Sequence, residues 1–224
     1  MIRAHEDNRV ETVENATISL IVLIGGAWGL VEATVGFALH LLRRVVELPG
    51  LTGYIMFPIG LFFMLAAVRR TGKPAAALAV AAVAAAVKLA SGFLPSVPWI
   101  FVVNPALAIL AEGAVVFVGA RLFRFNRSEA VVVPAVIVSV AWRVAFLALV
   151  VLLPVQKGIL MKGAPAILSF LLLESAVNGL LIAAACRIGA DPARLGAAAN
   201  RLARPSVAAA TLILALGVQV VTTL

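Results

Sequence analysis

AVVVPAVIVSVAWRVAFLALVVLL, residues 130–153, is 24 residues long and holds one charged side chain, Arg143. A helix needs about 20 mostly apolar residues to cross a bilayer core. This run meets that length, and the lone arginine inside it needs a reason. Three further runs hold no charge at all: 48–68, 89–111 and 205–224. The chain of 224 residues is 63% hydrophobic and 12% charged, with a mean hydropathy of +1.13. Soluble domains hold roughly 45–50% apolar and about 25% charged residues. A soluble globule could not hide this much apolar surface, which excludes a soluble enzyme, a disordered chain and a secreted disulfide scaffold. The single cysteine, Cys186, rules out an internal disulfide and a cysteine zinc cluster. His5 and His40 are the only histidines, too few for most histidine metal sites, so neither metal nor cofactor is expected.

Cutting at charge clusters and at Pro/Gly punctuation gives seven spans: 16–42, 53–69, 75–94, 102–121, 130–153, 164–186 and 205–223. The expected fold class is all-α, a polytopic transmembrane helix bundle. A polar segment, 1–15, leads into a six-helix core, 16–187; a linker, 188–204, then leads to a seventh span in 205–224. The leading MIRAHEDNRVETVEN is mixed in charge, unlike the basic start of a signal peptide. Asn15 or Thr17 is a candidate cap for the first helix. In the linker, Arg187, Arg194 and Arg201 recur every seven residues among alanines and leucines. That pattern fits an amphipathic helix on the inner leaflet, in contact with membrane lipids, or a partner-binding segment.

Orientation follows from counting Lys and Arg in the short connections. One side receives Arg3, Arg9, Arg69, Arg70, Lys73, Arg121, Arg124, Arg127, Arg187, Arg194, Arg201 and Arg204; the other receives Arg43, Arg44, Lys157 and Lys162. Twelve against four places the N-terminus inside and the C-terminus outside. The net charge of +8 is then a matter of topology and anionic lipid, and no nucleic-acid partner is expected. The outer connections, 43–53, 91–106 and 153–165, are longer and rich in turn formers. They suit a ligand site or lid, or else interfacial turns with Trp99 as a belt anchor.

Five charges lie inside the spans: Glu32, Lys88, Glu112, Arg143 and Glu174. Each costs about 2.5–3.5 kcal/mol at bilayer depth on insertion scales. They must therefore turn inward, pair, or line a wet site. Three acids against two bases leaves one acid over, to be protonated or to meet a cationic ligand. The alternative is a set of buried bridges that only fix helix register. Asn178 lies one turn beyond Glu174, Trp28 one turn before Glu32, and Trp142 beside Arg143. These eight residues are the candidate ligand-binding set, although Trp28 and Trp142 would serve equally as lipid-facing bulk. A local echo, Glu32-Ala-Thr-Val, Glu112-Gly-Ala-Val and Glu174-Ser-Ala-Val, hints at a weak parallel repeat of spans three–four against five–six.

In the first span, Gly25, Gly29 and Ala33 recur every fourth residue. Small residues at that spacing form a groove for close helix approach, within the chain or against a partner subunit. With its layout and the stretch GGAWGLVEATVG (25–36), the chain resembles the substrate-binding S components of energy-coupling-factor vitamin transporters. That resemblance implies a protein of a prokaryotic cytoplasmic (inner) membrane that captures a small solute from outside. It also implies a separate coupling transmembrane subunit, met at Gly25, Gly29 and Ala33, and partner ATPases. No GxxxxGK[ST] loop occurs in this chain. HExxH and GxSxG are likewise missing, and no Asp falls in a span, so the chain is read as non-enzymatic. A stand-alone secondary carrier, proton-coupled through the intramembrane acids, and a non-catalytic assembly factor are the alternatives.

Overall fold

The computed structural model describes residues 2–46, 51–94, 99–123, 132–153 and 159–223, without the side chains of 2–13, 40, 43, 44, 46, 100 and 101. Arg3, Arg9, Arg43, Arg44, Arg124, Arg127 and Lys157 of the orientation count fall outside the described side chains.

Every element among the described residues is helical. Helix α1 (Ile2–Val31) passes through a π-helical stretch, Glu32–Gly36, into α2 (Phe37–Val46). Then follow α3 (Leu51–Thr71), α4 (Ala75–Leu89), α5 (Ile100–Leu122) and α6 (Val132–Leu152). A short α7 (Ala164–Leu168) runs through a second π-helical stretch, Ser169–Leu173, into α8 (Glu174–Arg187). Finally come α9 (Pro192–Leu202) and α10 (Pro205–Val221). Six helices are long and apolar enough to cross a membrane: Glu14–Leu39, Leu51–Thr71, Ala75–Phe93, Val102–Leu122, Val132–Leu152 and Ala164–Arg187. Their bounds follow the first six expected spans closely, because a bilayer demands long uncharged runs and only these runs supply them. Helices α9 and α10 meet the same test only as a pair, bent by 111°.

The bundle is built around two inner helices. Helix α4 is mostly alanine, the strongest helix former and a slim one, so its neighbours come close. It packs against α1, α3, α5 and α10. Helix α3 touches α1, α4, α5, α8 and α9. The remaining neighbours, α5 with α6 and α6 with α8, close the set. The core between them holds Trp28, Phe57, Leu61, Met64, Val80, Ala84, Val116 and Ile182.

Two expectations need correction. Neither Asn15 nor Thr17 caps the start of the first helix: α1 is continuous from Ile2, through the polar segment 1–15 into the first span. No proline or glycine stands between Ile2 and Ile24, so nothing in the sequence breaks the helix there. The linker helix does not include Arg187. Gly189, at φ +85°, ends α8 in a conformation other residues avoid. Asp191 then starts α9 afresh, its carboxylate accepting from the Ala193 N–H at 2.9 Å, with Pro192 in the first turn.

Helix α9 lies against α3. The Arg69 guanidinium meets the Asp191 carboxylate at 2.8 Å, so one carboxylate both caps the helix and anchors it. Asp191→Ala should remove about 1 kcal/mol for the cap and up to about 1 kcal/mol for the ion pair. Limited proteolysis across 188–204 should then speed up. Asp191→Asn, which keeps a capping oxygen, should show the smaller change.

Helix α10 lies along α1 and α4. The Gln219 amide donates to Ser91 Oγ at 2.8 Å and to Thr223 Oγ1 at 3.0 Å. Gln219 is buried, and a buried amide with apolar surroundings depends on such partners. At 1.5 Å per residue the 17 residues of α10 extend about 26 Å.

Candidate functional site

The five intraspan charges come from five different helical segments. Glu32 opens the first π-helical stretch, Lys88 is next to last in α4, Glu112 is in mid-α5, Arg143 in mid-α6, and Glu174 opens α8. Arg143 is fully buried, and Glu32, Glu112 and Glu174 are 8%, 6% and 5% exposed. All four turn into the bundle. Lys88 is only partly buried, near the end of its helix. Trp28 and Trp142, whose direction the sequence left open, are both buried and so face the interior.

Arg143 is the best-held member. Its Nη1 donates to the Ser139 carbonyl at 3.1 Å, to Ser139 Oγ at 2.5 Å and to Ser175 Oγ at 3.4 Å. Its Nη2 reaches Asn178 Oδ1 at 3.4 Å and Glu174 Oε2 at 3.5 Å. At 3.5 Å the Glu174 contact is an ion pair, and not a tight two-pronged fork. The guanidinium also lies over the Trp142 ring at 4.6 Å and the Phe170 ring at 5.3 Å. Cations over aromatic faces gain electrostatic attraction that grows when water is excluded. Trp142 itself stacks on Phe57, with centroids 5.7 Å apart, and meets Phe170 edge-on at 5.9 Å. Asn178 continues the network by donating to the Gly53 carbonyl of α3 at 3.2 Å. Arg143 is thereby tied to α3, α6 and α8 at once.

The second half of the site is looser. Glu32 is in electrostatic reach of Lys88, without an ion pair at contact distance, and beside the indole of Trp28. The Trp28 N–H has no partner in hydrogen-bonding geometry. Trp28 rests on Gly60 of α3, where a Cβ would come within 2.5 Å of its ring. Glu112 has electrostatic reach to both Glu32 and Arg143, and so joins the two halves. Among the described residues it has neither an ion pair nor a hydrogen bond. By electrostatic reach, Lys88 is linked to Glu32, Glu112 to Glu32 and Arg143, and Arg143 to Glu174. In the interior a pair of like charges is costly, because water no longer screens it.

The expected docking residues point elsewhere. A Cβ on Gly25 would lie 2.6 Å from Val83 Cβ and 2.9 Å from the Val80 carbonyl; one on Gly29 would lie 2.9 Å from Val87 Cβ. The groove is filled by α4 of the same chain. Ala33 is fully buried. Of the two uses the sequence allowed for Gly25, Gly29 and Ala33, the structure has the internal one, and no partner subunit can reach this face without displacing α4.

Several contributors were not foreseen. Ser175, Gly53 and Phe170 look like ordinary small or apolar span residues, and only the packing and rotation of their helices bring them to Arg143; Ser139 stands four residues before Arg143 on α6, a spacing that signals the contact. Both π-helical stretches adjoin an acid of the site: one begins with Glu32, the other ends just before Glu174. Single π turns recur at functional sites because the extra residue redirects side chains. Nothing in the local sequence signals them. The echo among the three acids does not extend to their partners, since Lys88 is coupled to Glu32 and Arg143 to Glu174. Compared with protein-family models, curated proteins and solved structures, the chain matches none of them.

Proposed function

We propose that this chain is a membrane-embedded solute-binding protein of a transport system and not an enzyme. The supporting observation is the weakly held acid: Glu112 is buried on α5, in electrostatic reach of Glu32 and Arg143, with no ion pair at contact distance among the described residues. A protein that needed charges only for register would pair them, since an unpaired buried charge is expensive. The site carries three carboxylates and two bases. It takes a small solute there, with Glu32, Lys88, Glu112, Arg143, Glu174 and Asn178 as polar contacts and Trp28 and Trp142 as walls. The twelve-to-four distribution of basic residues orients the N-terminus inward and the C-terminus outward in a cytoplasmic membrane. The site then opens to the outer side, where α3 begins and α4 ends.

Two energy sources fit this reading. The resemblance to energy-coupling-factor S components calls for a coupling subunit and ATPases. The burial of Gly25, Gly29 and Ala33 beneath α4 favours the other, a stand-alone carrier. Transport into liposomes holding the chain alone separates them.

The test begins with the purified chain exposed to a small-metabolite extract, washed, and analysed for retained compounds by mass spectrometry. Wild type should retain at least one compound that Glu112→Gln and Lys88→Met lose, while all three elute as folded protein. Retention of nothing by wild type, with cellular uptake unaffected by either substitution, would refute the reading.

A further inference from the structure

The geometry points to a second contact surface, apart from the interior charges: helix α9 lies in the plane of the membrane surface and binds anionic phospholipid of the inner leaflet. The surface begins with how α9 is held. Gly196 comes so near α3 that a Cβ there would lie 2.6 Å from the Ala66 carbonyl oxygen and 3.4 Å from Arg70 Cβ. Pro192 is buried on the same face, and the Arg69–Asp191 ion pair at 2.8 Å pins the start of the helix. Ala66 and Arg70 belong to the last two turns of α3, so α9 crosses the end of a span. The 111° bend to α10, which lies along α1 and α4, turns α9 out of the direction of the spans.

What α9 leaves uncovered sorts into three faces, because successive residues step by about 100° around a helix. With Pro192 and Gly196 against α3, Leu195 and Leu202 share one flank and Ala193, Ala197 and Asn200 the opposite one; Arg194 and Arg201 point away from the protein. All of these are exposed, and Ile188, in the turn before α9, is 87% exposed. A leucine flank beside an arginine ridge suits a helix at the boundary between acyl chains and headgroups. The surrounding charge selects the lipid. Arg70, Lys73, Arg187 and Arg204 are exposed at the same end, and neither they nor Arg194 and Arg201 form an ion pair among the described residues. The described acids there are Glu14 and Asp191, and Arg69 already holds Asp191. The Lys/Arg bias makes this the inner side, where anionic headgroups attract basic side chains. Arg194 and Arg201 stand about 10 Å apart along the axis, too far for one phosphate, so they meet neighbouring headgroups.

Two measurements on the full chain test this. In detergent, dioleoylphosphatidylglycerol and dioleoylphosphatidylcholine are titrated in turn, and bound lipid is counted by native mass spectrometry. The anionic lipid should bind about tenfold more tightly or better, and its advantage should shrink as salt rises. Arg194→Gln and Arg201→Gln should each weaken it by about fivefold. Both arginines point away from α3, so these variants should fold as wild type does. Lys162→Gln, an equal change of charge on an exposed residue before α7, should leave the preference unaltered. In phosphatidylglycerol vesicles, an environment-sensitive fluorophore attached at Leu202→Cys, in a Cys186→Ser background, should be quenched by nitroxide-labelled acyl chains. The same fluorophore at Asn200→Cys should be quenched by aqueous iodide instead. Equal binding of the two lipids, an equal loss from Lys162→Gln, or quenching at position 202 by iodide alone would each overturn the inference; the last would leave the face to a soluble partner.

Discussion

Arg143→Met should be the most damaging single change in the protein. Removing one partner of a buried ion pair costs about 3–5 kcal/mol, because the other charge stays behind. Here the remaining group is Glu174, 5% exposed. The substitution also strips Ser139, Ser175 and Asn178 of their shared donor and unseats a cation from the Trp142 and Phe170 rings. Expression of folded protein should collapse, or its thermal unfolding in detergent should drop steeply. The informative control is the pair Arg143→Met with Glu174→Gln, which leaves no lone charge. It should be more stable than Arg143→Met alone. If the double variant is no better than the single, the loss comes from shape and not from charge, and the ion pair is not what holds α6 to α8.

Gly25→Ala should be nearly as harmful, although it adds one methyl group. Its Cβ would lie 2.6 Å from Val83 Cβ and 2.9 Å from a backbone carbonyl, and neither neighbour can rotate away. Helices α1 and α4 would have to separate, at about 1–3 kcal/mol or more for overpacking. The cost is not only stability. Glu32 is seven residues beyond Gly25, two turns along the same helix, and its base is Lys88 on α4. Moving α1 off α4 therefore loosens the acid pair, and solute retention should fall along with stability. Gly217→Ala is the matching control: nothing stands within 4 Å of its Cβ, so the change should be neutral or slightly stabilising. Chemical-denaturant or thermal unfolding of the two variants side by side gives the comparison.

The architecture was legible because a bilayer leaves little choice. Residues 132–152 can be apolar with one arginine only if a helix crosses lipid, and the six crossing helices fall where hydropathy alone put the first six spans. That the charges turn inward was legible for the same reason: an outward Arg143 would face hydrocarbon. Their partners were not. Pairing depends on which helices are neighbours and how each is rotated, and helix rotation is hard to read from spans this uniformly apolar. Ser139 is the exception: it stands four residues before Arg143 on α6, one turn away on the same face, so that contact could be read from spacing. The π-helical stretches at Glu32–Gly36 and Ser169–Leu173 were not legible either. The Gly25 and Gly29 groove was visible as a groove. Its occupant was not, since alanine-rich α4 shows no feature that marks it as the partner.

The central claim is that Glu112 faces a polar interior open to water from the end of the bundle where α4 ends and α5 begins. Substituted-cysteine labelling tests it. In a Cys186→Ser background, Glu112→Cys is treated in intact vesicles with a membrane-impermeant methanethiosulfonate, and Val118→Cys, on the exposed face of the same helix, serves as the lipid-facing reference. Cysteine at 112 should react from that one side, while cysteine at 118 stays unmodified. Labelling at 118 with none at 112 from either side would contradict the account.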